Sequence, residues 1–476
     1  MQKLIEKFKT SIEEKLNKIS STLEKALKFG VAAILIAIPL YPKFPFINVP
    51  GTYVSIRIED FLILIVAVIW FLITLRNPGS FLKSKINQGI FIFLIVSLVS
   101  LLSAVFLTKT VVFHIGILHW VRRLEYFTAF FIGVASVKTE KDLAFYLKCV
   151  LIVVIIAGIY GMGQKYLYWP IITTQNNEYS KGVALRYTPG SHIPSTFAGH
   201  YDLATYLVLV FPVLFSLFFT LKEKVKKVLI LFVISSGFWL LINAISRISV
   251  VSYFIGVSIA LFLIRKYKAI PIVIIVSIVI MLFSPDLVGR YSTVIQVTVK
   301  DFMKTNKIMY IKSVNIVQAA DEASLPKRRE SSKNKEEVSV APVFEDRSTS
   351  IRLNVEWPRA IRAFSKNPLL GTGFSSITLA TDSHYLRLLG ELGILGFLSF
   401  FIVFLRIAKA FLKALPLSQN LDLGSVYLAG IIGAVPGIFL NAVFIDVFEA
   451  SKFATSFWLL LGFAVAIVKI KYDEFF

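Results

Sequence analysis

Arginines and one histidine recur at the edges of apolar runs. An ionisable side chain there is costly and is a functional hypothesis by default. Arg186 precedes STFAGHYDLATYLVLVFP (195–212), which carries His200 and Asp202 where an apolar run begins. Asp202 also suits a helix cap and His200 an interface position. Ser246-Arg247 sits between two apolar runs with almost no loop, so the arginine faces a polar cavity, a lipid headgroup or a partner. In RLNVEWPRAIRAFSKNPLLGTGFSS (352–376), Arg352, Trp357, Arg359 and Arg362 fall at helical spacings, followed by Asn367-Pro368 and the turn Gly371-Thr372-Gly373. In TDSHYLRLLGELGILGFLSFF (381–401), His384 stands between Asp382 and Glu391, and Gly390, Gly393 and Gly396 form a small-residue pattern for close helix packing. Arg122, Arg123 and Glu125 make a fifth group, which an Arg–Glu pair inside a helix bundle accounts for equally well.

These residue types point to one chemistry. Guanidinium forks match phosphate geometry and keep their charge. Imidazole, with an unperturbed pKa near ~6.5, accepts a proton at neutral pH without tuning. A Gly-x-Gly turn lets backbone N–H groups approach an anion. The outer loops contain no DxD-like carboxylate pair, so the pattern requires no metal and no other cofactor. The simplest substrate needing arginines, one base and a membrane is a lipid pyrophosphate-linked sugar. The arginines hold the leaving group and offset its developing charge. The histidine deprotonates the acceptor hydroxyl.

The elements that position these residues are membrane helices. The 476 residues are 56% hydrophobic and 17% charged, with 42 Phe and a net charge of +22; mean hydropathy is +0.74. A soluble domain is about 25% charged, so an ordinary soluble enzyme is excluded. A basic balance in a membrane protein indicates cytoplasmic loops rather than nucleic acid. Cys149 is the single cysteine, so there is no disulfide framework or Cys-based metal site. A spanning helix needs ~20 apolar residues. About twelve such runs lie near 28–44, 58–75, 87–107, 117–137, 143–165, 201–221, 228–243, 245–264, 269–284, 387–408, 424–441 and 452–470. The expected fold is therefore an all-α polytopic membrane protein of about 12 transmembrane helices, with a long outer-face loop containing short amphipathic helices. The basic turns Arg76/Lys83/Lys85, Lys138/Lys141, Lys222/Lys224/Lys226/Lys227, Arg265/Lys266/Lys268, Arg406/Lys409/Lys413 and Lys469/Lys471 all fall on one side with both termini. The positive-inside rule makes that side cytoplasmic and puts the four chemical segments outside.

The expected organisation has four parts. Residues 1–29 form a cytoplasmic amphipathic helix whose stripe of Leu4, Phe8, Ile12, Leu16, Ile19 and Leu23 suits an anionic leaflet. Residues 30–284 form a bundle of about nine spans with an outer loop at 166–200. Residues 285–386 form a long outer loop with a polar insertion near 321–348, whose composition matches a disordered segment. Residues 387–476 add three spans. No matched pair of broken helices in two halves, the sign of a secondary transporter, is visible.

The same segments resemble the O-antigen ligase and polymerase superfamily of bacterial envelope glycosyltransferases. Arg186 followed by STFAGHYDLATYL is similar to the family's "GTF-x-N-P-N-x-x-A-x-x-L" run. Ser246-Arg247 resembles its Ser-Arg at a span start. Arg352…Trp357…Asn367-Pro368…Gly371-Thr372-Gly373 resembles "R…W…P-x-x-G-x-G". Asp382-Ser383-His384-Tyr385-Leu386 with Glu391-Leu392-Gly393-Ile394-Leu395-Gly396 resembles "H-N-x-x-L…E-x-G-x-x-G". The resemblance covers roughly residues 185–405. It departs from the family pattern at His200 and Asp202, which replace an Asn-rich turn, and at Tyr385, which replaces Asn. It implies a metal-independent transferase on the outer side of the inner membrane. The donor is an undecaprenyl pyrophosphate-linked glycan; the acceptor is a glycan, a lipid or a protein. His384 is the implied base and Arg186, Arg247 and Arg352 the pyrophosphate ligands, with Asp382, Glu391 and His200 as further substrate-binding candidates. Membrane lipids are the other partners. A lipid-linked glycan flippase and a non-catalytic envelope assembly subunit are the alternatives from other classes. All the charges mapping to one face favours the enzyme.

Overall fold

The computed structural model describes residues 2–42, 46–49, 52, 55–76, 78–172, 186–284, 350–378, 380–418 and 420–471, with the side chains of 2–17, 48 and 80 excepted. Each apolar run of the sequence lies in a helix: α1 (Gln2–Leu40), α2 (Ile58–Thr74), α4 (Lys85–Phe106), α5 (Phe113–Ser136), α6 (Glu140–Tyr166), α7 (His200–Thr220), α8 (Lys224–Ala244), α9 (Arg247–Leu263), α10 (Ala269–Leu282), α12 (His384–Lys413), α13 (Leu423–Phe444) and α14 (Ser451–Lys471). Two short helices, α3 (Pro78–Lys83) and α11 (Trp357–Lys366), complete the set. Among the described residues, α4, α6, α7, α8, α12, α13 and α14 are long and apolar enough to cross a membrane on length and composition. The protein is thus an all-α, multi-pass membrane protein. Its β structure among those residues is a two-stranded antiparallel ribbon of β1 (Ile47–Asn48) and β2 (Ser55–Ile56). One helix, α1, carries both the amphipathic stretch and the first apolar run. The side chains of the stripe residues Leu4, Phe8, Ile12 and Leu16, and the polar insertion at 321–348, lie outside what is described.

Helices α7, α13 and α14 are the most enclosed. Small residues let backbones touch: a Cβ on Gly462 would stand 2.4 Å from the Phe130 carbonyl, and one on Gly133 2.4 Å from that of Leu459. Lipid provides no hydrophobic drive between helices, so such contacts and internal hydrogen bonds hold the bundle. Asn441 on α13 illustrates the second kind. Its Nδ2 donates to Thr205 Oγ1 (3.2 Å) on α7 and to Ser249 Oγ (3.2 Å) on α9, and its Oδ1 accepts from Ser252 Oγ (2.9 Å).

These contacts define two ends. At one end the start of α7, the start of α9 and the close of α13 meet around Thr205, Ser249 and Asn441. Lys452, at the start of α14, adds the close of α1 by donating to the Pro39 (3.1 Å) and Tyr41 (2.7 Å) carbonyls. The opposite end gathers the basic turns. There Lys28 pairs with Asp142 (2.6 Å), Lys138 with Glu24 (2.6 Å), Lys471 with Asp422, and Arg406 donates to the Lys85 carbonyl.

Candidate functional site

His384 is the first residue of α12, at the end away from the basic turns. Further along the chain, α12 is broken around Gly393 (φ 65°, ψ −170°). Only glycine enters that conformation freely. The break releases backbone groups, and the turn before His384 takes them up. Thr372 and Gly373 N–H donate to the Gly390 (3.0 Å) and Glu391 (2.7 Å) carbonyls, and Ile394 and Leu395 N–H donate to the Pro368 (2.9 Å) and Leu369 (3.2 Å) carbonyls. Gly371 N–H donates to the Asn367 carbonyl. The Gly371-Thr372-Gly373 turn is therefore a brace for the broken helix. This corrects its reading as an anion cradle: all three of its N–H groups are already engaged. Gly393 is likewise a break and not a packing residue, whereas Gly390 packs closely on Ala360 and Ala363 of α11.

The brace delivers His384 into a cluster of charges. The imidazole is 2% exposed, and among the described residues neither ring nitrogen has a hydrogen-bond partner. Phe448 (ring centroids 4.9 Å apart) and Phe400 (5.6 Å) cover it. The charges of Glu449, Asp446, Arg123 and Arg387 act on it. Arg387, one turn along α12, bonds Asp446 (3.0 Å), Glu391 (3.4 Å) and the Ile377 carbonyl (3.3 Å). Arg123 on α5 pairs with Glu449 and lies over the Phe374 ring (5.2 Å). Burial favours a neutral Glu449, but Arg123 against it and Arg387 beyond hold its carboxyl well below the usual range.

Asp446, in the link between α13 and the 3₁₀ turn Val447–Glu449, ties the approach to His384. It accepts the N–H groups of Thr381 (2.8 Å) and Ser383 (3.2 Å) as well as Arg387. Asp382 between them pairs with Arg352 (3.0 Å), which also donates to the Tyr201 hydroxyl (3.4 Å). Burial and the Asp446 charge push the Asp382 carboxyl up, and Arg352 opposes them. Arg352 opens a π-helical turn, Arg352–Glu356, that leads into α11. Glu356, at its end, is pushed up to about 7 by burial and by Asp382 and Asp446.

The candidates from the sequence are therefore partly assembled. Arg352, Asp382, His384 and Glu391 join one network. His200 reaches its edge: its ring is 4.0 Å from that of Tyr201 and 4.1 Å from that of His192. Asp202 Oδ2 accepts the Ala198 N–H (3.3 Å) and shapes the turn into α7. Arg247 is half-buried at the start of α9, on the same end of the bundle, with Ser246 bonded to Ser249 (2.8 Å). Arg186 is exposed, and no contact joins it to the His384 network among the described residues. The fifth group divides. Arg122 pairs with Asp60 (2.6 Å) and Glu125 (2.8 Å) within the bundle, while Arg123 turns to the site. Arg387, Asp446, Glu449, Tyr201 and Glu356 are not among the candidates that the sequence singles out. For Arg387 a signal exists: it lies three residues after His384 and four before Glu391, on one helical face. For Asp446 and Glu449, more than fifty residues from His384 in the chain, no local signal exists.

Comparison with known proteins bears on this site. No curated protein matches the chain. Residues 230–401 match the family described as O-Antigen ligase. That segment holds Arg247, Arg352, Asp382, His384, Arg387 and Glu391; Arg123, Arg186, His200, Asp446 and Glu449 lie outside it. Over this segment the chain is similar to the O-antigen ligase family.

Proposed function

We propose that the protein is a metal-independent, inverting glycosyltransferase acting at the outer face of the cytoplasmic membrane. It takes a glycan from an undecaprenyl pyrophosphate-linked donor and transfers or polymerises it onto a glycan, lipid or protein acceptor. One observation carries the reading: a buried imidazole with both nitrogens unengaged among the described residues, set among arginines that neighbouring carboxylates hold in place. An imidazole in that state is available as a proton acceptor. His384 removes the acceptor hydroxyl proton, and the oxygen attacks the anomeric carbon. The bond from that carbon to the pyrophosphate oxygen breaks, and the lipid pyrophosphate leaves with both electrons. Its charge is met by Arg352 and Arg247, with Arg186 reaching in from its loop; Arg387 and Arg123 supply the positive field. Asp382 and Glu391 act through the arginines they hold, and His200 lies beside Tyr201 at the rim. At 2% exposure the ring meets an acceptor only after a covering side chain moves, and Phe448 is one of those covering it.

The test is transfer by the purified full-length protein from undecaprenyl pyrophosphate-linked glycan to a panel of acceptors, with and without EDTA. Transfer should resist EDTA. His384→Ala should lower it about 10²–10⁴-fold, and Arg247→Ala should weaken it as well. Wild-type transfer by the His384 variant removes the base from the mechanism. Movement of labelled donor across a proteoliposome membrane without transfer replaces the enzyme by a flippase.

A further inference from the structure

Beside the His384 network, four buried polar atoms have no hydrogen-bond partner among the described residues: Glu356 Oε2, Trp357 Nε1, one Arg359 terminal nitrogen and Thr381 Oγ1. Three lie on the 356–359 turn and the fourth on the 381–383 approach, two segments that the Arg352–Asp382 pair joins. Trp357 lies against Phe444, the last residue of α13 (ring centroids 6.3 Å). Asp446, two residues further on, holds the Thr381 backbone (2.8 Å). Asp382, Asp446, Arg352 and Arg359 all act on the Glu356 carboxyl. Thr381 is 0% exposed. A buried polar atom left unpaired costs about 1–3 kcal/mol, so four together mark a place built for something that bonds them.

The mixture of groups selects the ligand. The indole N–H and the guanidinium are donors, the threonine hydroxyl can be one, and the carboxyl oxygen accepts. A phosphate has only acceptors and would face Glu356, Asp382 and Asp446. A sugar hydroxyl donates and accepts at once. The Glu356 carboxyl, pushed up to about 7, does the same near neutrality. We propose that Glu356, Trp357, Arg359 and Thr381 form a subsite that bonds the hydroxyls of a sugar ring next to the reacting centre. The inference rests on the transferase reading above and adds where the glycan is recognised. The sugar belongs either to the donor or to the acceptor.

Thr381→Val removes one hydroxyl at nearly constant volume and keeps the backbone bond to Asp446, and Trp357→Phe removes the indole N–H while keeping an aromatic ring against Phe444. The double variant, full length in nanodiscs, would be measured for two affinities and one kinetic constant. The affinities are for lipid-linked glycan extracted from the host's membranes and for bare undecaprenyl pyrophosphate. The kinetic constant is the acceptor KM. A loss of about tenfold in affinity for the glycan-bearing lipid assigns the subsite to the donor sugar. A tenfold rise in acceptor KM assigns it to the acceptor. In either case, binding of bare undecaprenyl pyrophosphate stays unchanged. If neither constant moves, or if bare lipid binding falls equally, the subsite is overturned. Failure of the transferase reading is seen separately, as movement of labelled donor across a proteoliposome membrane without transfer by the parent protein; the binding arm then still decides the subsite.

Discussion

His384 depends on a residue far from it in sequence. Asp446 accepts two backbone N–H groups of the 381–383 approach and the Arg387 guanidinium, so it sets where the imidazole sits. Misplacing a catalytic group by about 1 Å costs about 10²-fold. Asp446→Ala should therefore lower kcat by about that factor and leave donor affinity nearly intact, in steady-state kinetics paired with a binding assay. Equal losses in both would make Asp446 a substrate ligand instead. Glu356 has a pH signature. Its carboxyl is raised from an ordinary value of 4.5 to about 7 by burial and by Asp382 and Asp446, while Arg352 and Arg359 oppose them. A raised acid favours its protonated form in the fold. The cost of ionising it is absent below about 4.5 and fully developed above about 7. Glu356→Gln should thus gain thermal stability over the parent as pH rises through that window, and no gain below it. Melting curves spanning that window, from its acid edge to just above neutrality, check this; a pH-independent difference would refute it.

At the scale of elements, the break in α12 and the 367–373 turn are one device. A Cβ on Gly393 would lie 2.4 Å from the Leu369 carbonyl at a φ of +65°. Non-glycine residues in such regions cost about 1–3 kcal/mol before any clash. Gly393→Ala should lower the melting temperature and, by shifting the turn, depress transfer. Gly79→Ala is the control, since nothing stands within 4 Å of its Cβ position. Equal stability of the two variants would mean that the break is dispensable. Non-helical backbone inside an apolar helix survives only where protein satisfies it. Here the neighbouring turn does so bond by bond.

The whole molecule separates charge by end. The basic turns collect at one end, and His384, Arg352, Arg247 and Asp446 lie at the other. With the positive-inside rule, the chemical end is expected to face outward. Cys149, the single cysteine, is buried, which makes single-cysteine labelling clean. Asn354→Cys should react with an impermeant maleimide in spheroplasts, and Lys226→Cys only after lysis. The reverse pattern would turn the protein over and place the site in the cytoplasm.

The sequence by itself determined what depends on short windows. Whether a segment enters lipid follows from the apolarity of ~20 consecutive residues, so every apolar run emerged as a helix. The cost of charge at a membrane edge singles out Arg247, Arg352, Asp382, His384 and Glu391 by residue type and position alone. Tertiary structure alone decided which of these meet. Arg352 and Asp382 pair across thirty residues and Arg123 and Glu449 across more than three hundred, and among the described residues no contact joins Arg186 to them. It also decided that Gly371-Thr372-Gly373 serves a helix break and not an anion. A glycine turn reads the same whatever its N–H groups bond, because their acceptors are carbonyls that only the bent path of α12 exposes.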